Sequence, residues 1–232
     1  MAVITSRSII DTAKIVIQDE TGVRWPDAEL LRWLNSAQRQ IVLLKPDSSV
    51  VVEAVQLVAG TKQTLPDDGV MLIDVIRNLG VDGLTPGRVV KLVPRQILDA
   101  QRPNWHTEMA NAEVKHFVYD GRTPKTYFVY PPQPEIPGQV EQARSIAPTD
   151  CTLEELDGVP VTGGVDSVIS ISDIYESPLL DLVLARAYSK DSDYAGNGQR
   201  SVTHMNAAYQ LLGIKEKVEV ASEPMATTGR AQ

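Results

Sequence analysis

Cysteine is almost absent from this chain: Cys151 is the single one in 232 residues. One cysteine cannot form an intrachain disulfide, and it cannot supply the four thiolates of a structural zinc site. Cys151 lies in an acidic loop beside Asp150 and Glu154, and these carboxylates repel the negative thiolate that a nucleophile needs. We therefore expect an inert thiol and a chain made in a reducing compartment.

Positive charge and aromatic rings are also scarce. Lys and Arg total 22 against 30 Asp and Glu, for a formal charge of −8, and 5% of residues are aromatic. A protein that binds DNA through its phosphates needs clustered Lys and Arg, so this mode of binding is not expected. An acidic surface could still line a passage for DNA, since like charges repel. For the aromatic residues, packing or subunit contact is favoured over base stacking.

The common catalytic motifs are missing. Neither G-x-x-x-x-G-K-[ST], nor G-x-G-x-x-G, nor H-E-x-x-H occurs. His106 and Glu108 form the H-x-E of zinc deaminases, but the P-C-x-x-C that must accompany it is lacking. The three histidines lie in separate segments, and no cofactor or metal ligand set is predicted. The N-terminus lacks the pattern of a signal peptide, and no apolar run approaches the ~20 residues of a membrane helix.

What the chain does contain is helical periodicity at both ends. Apolar residues recur at helical spacing in residues 8–18 and again from Pro26 to Pro46. Near the other end, Ser177 is predicted as an N-cap before Pro178. A last helix is predicted to end at Gly213 and to carry the apolar residues Val202, Met205, Ala208, Tyr209 and Leu212. These two later helices are expected to form an αα-hairpin.

The middle of the chain is rich in β-branched residues. Strands are predicted at residues 50–58, 71–76, 88–93, 139–146 and 167–171, with a hairpin of 114–119 and 126–130, a turn at Gly60-Thr61 and a short helix at 94–100. The fold class is therefore α+β: an antiparallel helical bundle formed by the N- and C-terminal helices, with an inserted β-rich region and an extended C-terminal tail. The predicted boundaries are 1–47, 48–173, 174–213 and 214–232.

Several segments, taken in their order along the chain, resemble one protein family. They are residues 24–39 (RWPDAELLRWLNSAQR), 65–69 (LPDDG), 72–78 (LIDVIRN), 103–106 (PNWH), 128–132 (FVYPP), 173–175 (DIY), 182–188 (LVLARAY) and 190–197 (KDSDYAGN). This set is similar to the head-to-tail adaptor, or connector, proteins of short-tailed bacteriophages, and distantly to proteins of the tail tubular protein A type. The match covers about residues 5–213.

The resemblance implies a non-catalytic structural protein of the virion neck, assembled in the host bacterial cytoplasm. It implies a ring, a dodecamer, that joins the portal protein to a tail nozzle or tail tube protein and forms part of the DNA exit channel. The implied partners are other copies of the chain, the portal, the tail protein and the passing genomic DNA, with no membrane. Head-to-tail contacts between identical subunits would close such a ring.

The residues expected to contact other subunits or the portal fall into two groups. Polar residues on the predicted helices form the first group: Asn35, Gln38, Asp181, Arg186 and Arg200. The second group lies in the C-terminal tail, which is polar, carries no strong period and is expected to act as an arm that grips the portal: Ile214, Val218, Val220, Pro224 and Met225.

Three other interpretations stay open. The chain could be a different neck or tail component, such as a head-completion, nozzle or gatekeeper protein. It could be a tail-associated cell-wall hydrolase that uses paired carboxylates, of which Asp67 and Asp68 are examples. It could also be a cytosolic binding module.

Overall fold

The computed structural model describes residues 4–152, 167–191, 193–194 and 196–213. The chain divides into two compact units. The β unit is Pro46–Ala147, and the helical unit combines Met1–Lys45 with Pro148–Gln232. The β unit is thus continuous in sequence, whereas the helical unit is built from both of its flanks.

The described residues form helices and strands in the following order. The helices are α1 (Ser6–Ile17), α2 (Asp27–Leu44), α3 (Arg95–Gln101), α4 (Glu176–Lys190) and α5 (Asn197–Leu211). The strands are β1 (Val50–Gln56), β2 (Gly60–Thr64), β3 (Gly69–Leu79), β4 (Pro86–Val89), β5 (Lys91–Leu92), β6 (His116–Tyr119), β7 (Thr126–Gln133) and β8 (Gln139–Ile146). The prediction of a mixed α+β chain is confirmed.

Helix α4 is the central element of the helical unit. It contacts α1, α2 and α5, and its buried residues lie on most of its circumference: Pro178, Leu179, Leu182, Val183, Leu184, Ala185, Ala187 and Tyr188. A helix that is apolar nearly all round is stable only when other helices surround it. Each large aliphatic side chain buried here stabilises the unit by about 1.5–3 kcal/mol relative to an exposed one.

The ends of the helices follow local chemistry. At α1, the hydroxyl of Thr5 accepts a hydrogen bond from the Ser8 N–H, and Gln18 ends the helix in the left-handed conformation. At α4, the predicted Ser177 cap is wrong, because the 3₁₀ turn Asp173–Tyr175 leads directly into a helix that begins at Glu176. Val202 is 53% exposed and not part of the buried face of α5. The predicted contact between α4 and α5 is confirmed.

The β unit consists of two four-stranded sheets, ordered β1-β8-β3-β4 and β2-β7-β6-β5. Its main core contains residues from both sheets: Leu57, Leu65, Leu72, Val75, Val90, Val114, Phe117, Tyr127, Val129 and Val140. Within this core, Gln142 donates a hydrogen bond to the hydroxyl of Tyr127 at 2.8 Å. The burial of this phenol raises the pKa of Tyr127 to about 12.

A second, smaller core lies between α3 and the sheet β2-β7-β6-β5. It contains Leu98, Trp105, Val118 and Tyr130, and the indole N–H of Trp105 donates to Asp99 at 2.9 Å. The predicted short helix and the predicted β6–β7 hairpin are therefore both present. The large aromatic residues of this region pack inside the unit, as the sequence favoured.

Three predictions about the strands are wrong. Gly60 and Thr61 begin β2 and do not form a turn. The predicted strand at residues 88–93 is divided between β4 and β5, which lie in different sheets. Residues 167–171 form no strand among the described residues, only an isolated bridge between Val168 and Thr5, and Ile169 and Ile171 are buried.

The β unit ends at Ala147. The bridge between Val168 and Thr5 ties the returning chain to the segment that precedes α1, and the helical unit accordingly takes in the chain from Pro148 onward.

Candidate interaction surfaces

Two of the polar residues predicted to contact other subunits are buried within the chain. Asn35 is 9% exposed and Gln38 is 0% exposed. The side chain of Asn35 donates to the carbonyl oxygen of Cys151 at 2.9 Å and accepts from the Cys151 N–H at 3.0 Å. Gln38 accepts from the Ser170 N–H at 2.9 Å. Both side chains hold the returning main chain against α2, because a buried amide must find internal partners. Contact of these two residues with another subunit stays a prediction.

Asp181 and Arg186 also have partners inside the helical unit. Oδ1 of Asp181 lies 2.8 Å from Nδ1 of His204. Arg186 donates to the Trp33 carbonyl at 3.2 Å and to the side chain of Gln40 at 2.9 Å. Burial lowers the pKa of the Arg186 guanidinium from its usual value. Asp181 joins α4 to α5, and Arg186 joins α4 to α2. These are contacts within one chain, and contact of either residue with another subunit stays a prediction.

Among the five polar helix residues predicted to contact other subunits, Arg200 is exposed. Its guanidinium lies over the ring of Tyr188, 5.6 Å from the ring centroid. The two residues belong to the wall of a cavity of about 310 Å³, together with Arg24, Trp25 and the 65% exposed Tyr194. Arginine and aromatic side chains of this kind are enriched in protein interfaces. Ile214, Val218, Val220, Pro224 and Met225 lie outside the described residues.

A rigid loop at one end of the β unit displays two aliphatic side chains. Val81 is 100% exposed and Leu84 is 81% exposed. Between them, Asp82 accepts hydrogen bonds from the N–H groups of Leu84 and Thr85, at 3.0 and 2.9 Å, and from the Thr85 hydroxyl at 2.6 Å. These hydrogen bonds, above all the one from the Thr85 hydroxyl, lower the pKa of Asp82 to about 2. Gly83 takes a φ of +67° in the turn.

This loop borders a cavity of about 600 Å³. The wall includes Val81, Pro86, Pro137 and the 86% exposed Ile136. Exposed aliphatic side chains contribute nothing to folding, and when they surround a depression they are typical of a surface that another chain covers. No local sequence pattern distinguishes a turn at Asp82-Gly83 that displays its neighbouring side chains from any other turn.

A third surface is the open edge of β1, at one end of the sheet β1-β8-β3-β4. β1 pairs with β8 over seven residues without a register shift, and along it Val50 and Val52 are 40% and 54% exposed. Strand order is set by pairing across the chain, so the sequence predicted this strand without revealing that it lies at an edge.

The residues of the H-x-E pattern, which could have served catalysis or metal binding, have structural partners. Glu108, of the H-x-E pattern, accepts hydrogen bonds from the Tyr130 hydroxyl at 2.7 Å and from Arg102. The first of these lowers the pKa of Glu108, whereas a general acid requires a raised one. His106 stacks on Trp105, with its Nδ1 2.8 Å from the hydroxyl of Thr61.

The structure also accounts for two other residues considered for catalysis, Asp68 and Cys151. Asp68 forms an ion pair with Arg144 at 3.2 Å, which gives this carboxylate a partner on the sheet. Cys151 is buried with a free thiol. Among the described residues, no group of three or more His, Cys, Asp or Glu is placed to hold a metal ion. In that same part of the chain, no helix is long and apolar enough to cross a membrane.

Exposed aliphatic residues on a rigid loop, an open strand edge and an arginine-aromatic cavity define a protein with surfaces suited to contact with other chains. The family model described as SU10 adaptor protein matches residues 4–230. The chain therefore belongs to the SU10 adaptor protein family, a family of phage head-to-tail adaptors. The family is one of structural phage proteins, which fits a component of the virion neck. A comparison with curated proteins finds no match.

Proposed function

We propose that the protein is a non-catalytic head-to-tail adaptor that assembles into a ring between the portal and the tail. The ring is a dodecamer, one face meets the portal protein, and the other meets a tail nozzle or tail tube protein. Its lumen forms part of the channel through which DNA leaves the virion. The helical unit is an antiparallel bundle with the β unit inserted between α2 and α4. The observation that carries this proposal is the family match over residues 4–230.

The exposed surfaces support the proposal in physical terms. The loop with Val81 and Leu84 adjoins one end of β1, since Gln56 lines the same cavity wall, and the cavity beside Arg200 belongs to the helical unit. A closed ring needs at least two different contact surfaces on each subunit, because each copy meets its two neighbours through opposite sides, and the portal and tail require further ones. The net charge of −8 gives passing DNA little to adhere to.

The C-terminal segment completes the proposed contacts. Ile214, Val218, Val220, Pro224 and Met225 belong to an extended arm, residues 214–232, that contacts a neighbouring subunit or the portal. Arg200, beside the end of α4, contributes to the same contact region. Assembly takes place in the host cytoplasm, before the completed neck becomes part of the virion.

The experiment is reconstitution with the portal protein encoded in the same phage genome. Full-length chain and portal are mixed, and particle mass and electron micrographs are recorded. We expect a complex with twelve copies of the chain in a ring on the portal. A chain that stays monomeric and does not bind the portal would refute the proposal. A ring that binds only a tail protein would instead indicate another neck component, and height along the tail axis in virions separates these positions.

A further inference from the structure

The four edge strands of the β unit differ in how they are protected against pairing with another strand. β2 carries a register shift between Gly60 and Lys62. β4 contains Pro86 and has a register shift in its pairing with β3. β5 is only two residues long and begins with Lys91. Bulges, prolines, lysines and short length are the devices by which natural proteins prevent edge-to-edge association.

β1 carries none of these devices, and its one charged residue, Glu53, pairs with Arg144 of β8. Its sequence is VVVEAVQ, it has seven residues, and its register with β8 is uninterrupted. Its second edge has no backbone partner among the residues that the structure describes. A long, regular, β-branched edge of this kind is a template for an additional strand.

The geometry of β1 specifies which groups an additional strand would meet. The Ser49 carbonyl accepts from Ile146 at 2.9 Å and the Leu57 N–H donates to Gly138 at 3.1 Å. In an antiparallel ladder alternate residues bond to the same neighbour, so the backbone groups of Val50, Val52 and Ala54 point away from β8. The side chains of these residues share the face on which Ala143 lies opposite Val52.

Residues 214–221 have the pattern that fits this edge. The sequence IKEKVEVA places Ile214, Val218 and Val220 on one side of an extended chain, together with Glu216, and it places Lys215, Lys217 and Glu219 on the other. The apolar side matches the face that bears the exposed Val50 and Val52. On the opposite face Glu53, which is 45% exposed, shares Arg144 with Asp68, so this cluster has a net negative charge that Lys217 complements.

We propose that residues 214–221 of one copy add as a strand to the β1 edge of a second copy, linking adjacent subunits of the ring. This inference rests on the proposed ring and names one of its contacts. Residues 214–217 link Gly213 to Val218 and span at most about 18 Å when extended, at up to ~3.6 Å per residue. The neighbour's β1 must therefore lie within that distance of Gly213.

Disulfide trapping between two differently tagged full-length chains tests the pairing. Both chains carry Cys151→Ser; one also carries Val52→Cys and the other carries Val218→Cys or, to sample the second register, Val220→Cys. The two are assembled on portal and oxidised, since a disulfide requires Cα atoms within about 7 Å. We expect a crosslinked heterodimer from the ring, and none when Val89→Cys on β4 replaces Val52→Cys.

The other outcomes separate this inference from the proposed function. A ring that forms without the crosslink overturns the β1 contact alone. A crosslink within one chain that carries both cysteines, or a crosslink to portal, also overturns it, because the occupant is then a different one. Failure of the parent chain to form any ring removes the proposed function and this contact together.

A backbone variant gives an independent measurement. Val52→Pro removes an N–H that points away from β8, and proline is tolerated at such an edge position. We expect this chain to fold, with a native circular dichroism spectrum, and to lose ring assembly. Val52→Thr keeps the N–H and the branched shape, and should assemble normally. Assembly of the Val52→Pro chain at the native level would contradict the proposal.

Discussion

Asn35 holds Cys151 through both of the main-chain groups of that residue. The Asn35 Nδ2 donates to the Cys151 carbonyl at 2.9 Å, and Oδ1 accepts from the Cys151 N–H at 3.0 Å. Gln38, one turn further along α2, holds the Ser170 N–H in a similar way. The pair of amides thus anchors the chain where it returns from the β unit.

Replacing Asn35 should therefore destabilise the helical unit. Asn35→Leu preserves the volume but leaves the buried N–H and C=O of Cys151 without partners, which costs about 1–3 kcal/mol for each group. We expect a loss of about 2–4 kcal/mol in the free energy of unfolding, measured with urea by circular dichroism. Asn206→Leu, at an exposed position of α5, is the matched control and should change stability by less than about 0.5 kcal/mol. Equal stabilities of the two variants would contradict the anchoring role.

The reactivity of Cys151 should report on the same anchor. The thiol is 6% exposed, and a reagent such as a water-soluble aromatic disulfide reaches a buried thiol only when the chain opens locally. We expect no reaction of the native chain within minutes and a full equivalent in denaturant. In Asn35→Leu the native reaction should become readily measurable. Rapid reaction of the unmodified native chain would show that the segment at Cys151 is not held closed.

The Asp82 loop should have an acidic titration of its own. Folding lowers the pKa of this carboxyl from 3.8 to about 2. The ionised carboxylate therefore stabilises the loop fully above pH 3.8, and this stabilisation is lost as the pH falls through the pKa of the folded state. The carboxyl carbon of Asp82 should titrate in NMR with a midpoint of about 2. Thr85→Val removes the strongest hydrogen bond and should raise the midpoint toward 3.8. Thr107→Val, in a different turn, should leave it unchanged.

The aliphatic residues on this loop should matter for assembly and not for folding. Val81→Asp with Leu84→Asp changes two side chains that are 100% and 81% exposed, and surface substitutions of this kind shift stability by about 0.5 kcal/mol or less each. We expect an unchanged unfolding midpoint and a reduced yield of portal-bound ring in sedimentation. Val81→Thr with Leu84→Thr adds no charge and should have a smaller effect. Normal assembly of the double aspartate chain would exclude this loop from the subunit contacts.

Local patterns were enough to predict the strands and helices with strong periodicity. The predicted strand at residues 139–146 coincides with β8, and the helix predicted to start at Pro26 begins at Asp27. Both signals, a proline at a helix start and the alternation of apolar and polar residues in a strand, act within a few residues. The roles of Asn35 and Gln38 could not be predicted in this way. A polar residue on an amphipathic helix is compatible with solvent or with a buried partner, and the partner of Asn35 lies 116 residues away in sequence.

The exposed surfaces also depend on contacts between residues far apart in sequence. β-branched density predicted β1, but its position at an edge depends on the pairing of β8 with both β1 and β3. The exposure of Val81 and Leu84 depends on the hydrogen bonds of Asp82. The edge position of β1 and the exposure of this loop are both tertiary properties. The C-terminal arm, residues 214–232, stays a prediction.

The split composition of the helical unit sets an order of events during synthesis. The β unit is complete in sequence once Ala147 has left the ribosome, whereas α1 and α2 must wait for the central helix α4. Their apolar faces include Leu30, Leu34 and Ile41, which are fully buried in the finished protein. These faces stay uncovered while the chain from Leu44 to Lys190 is made, which takes about 7–30 s at roughly 5–20 residues per second. We expect chains stopped near residue 160 to hold a protease-resistant β unit and protease-sensitive N-terminal helices. We expect such a chain to bind chaperones during its synthesis more than a chain with local helix contacts would.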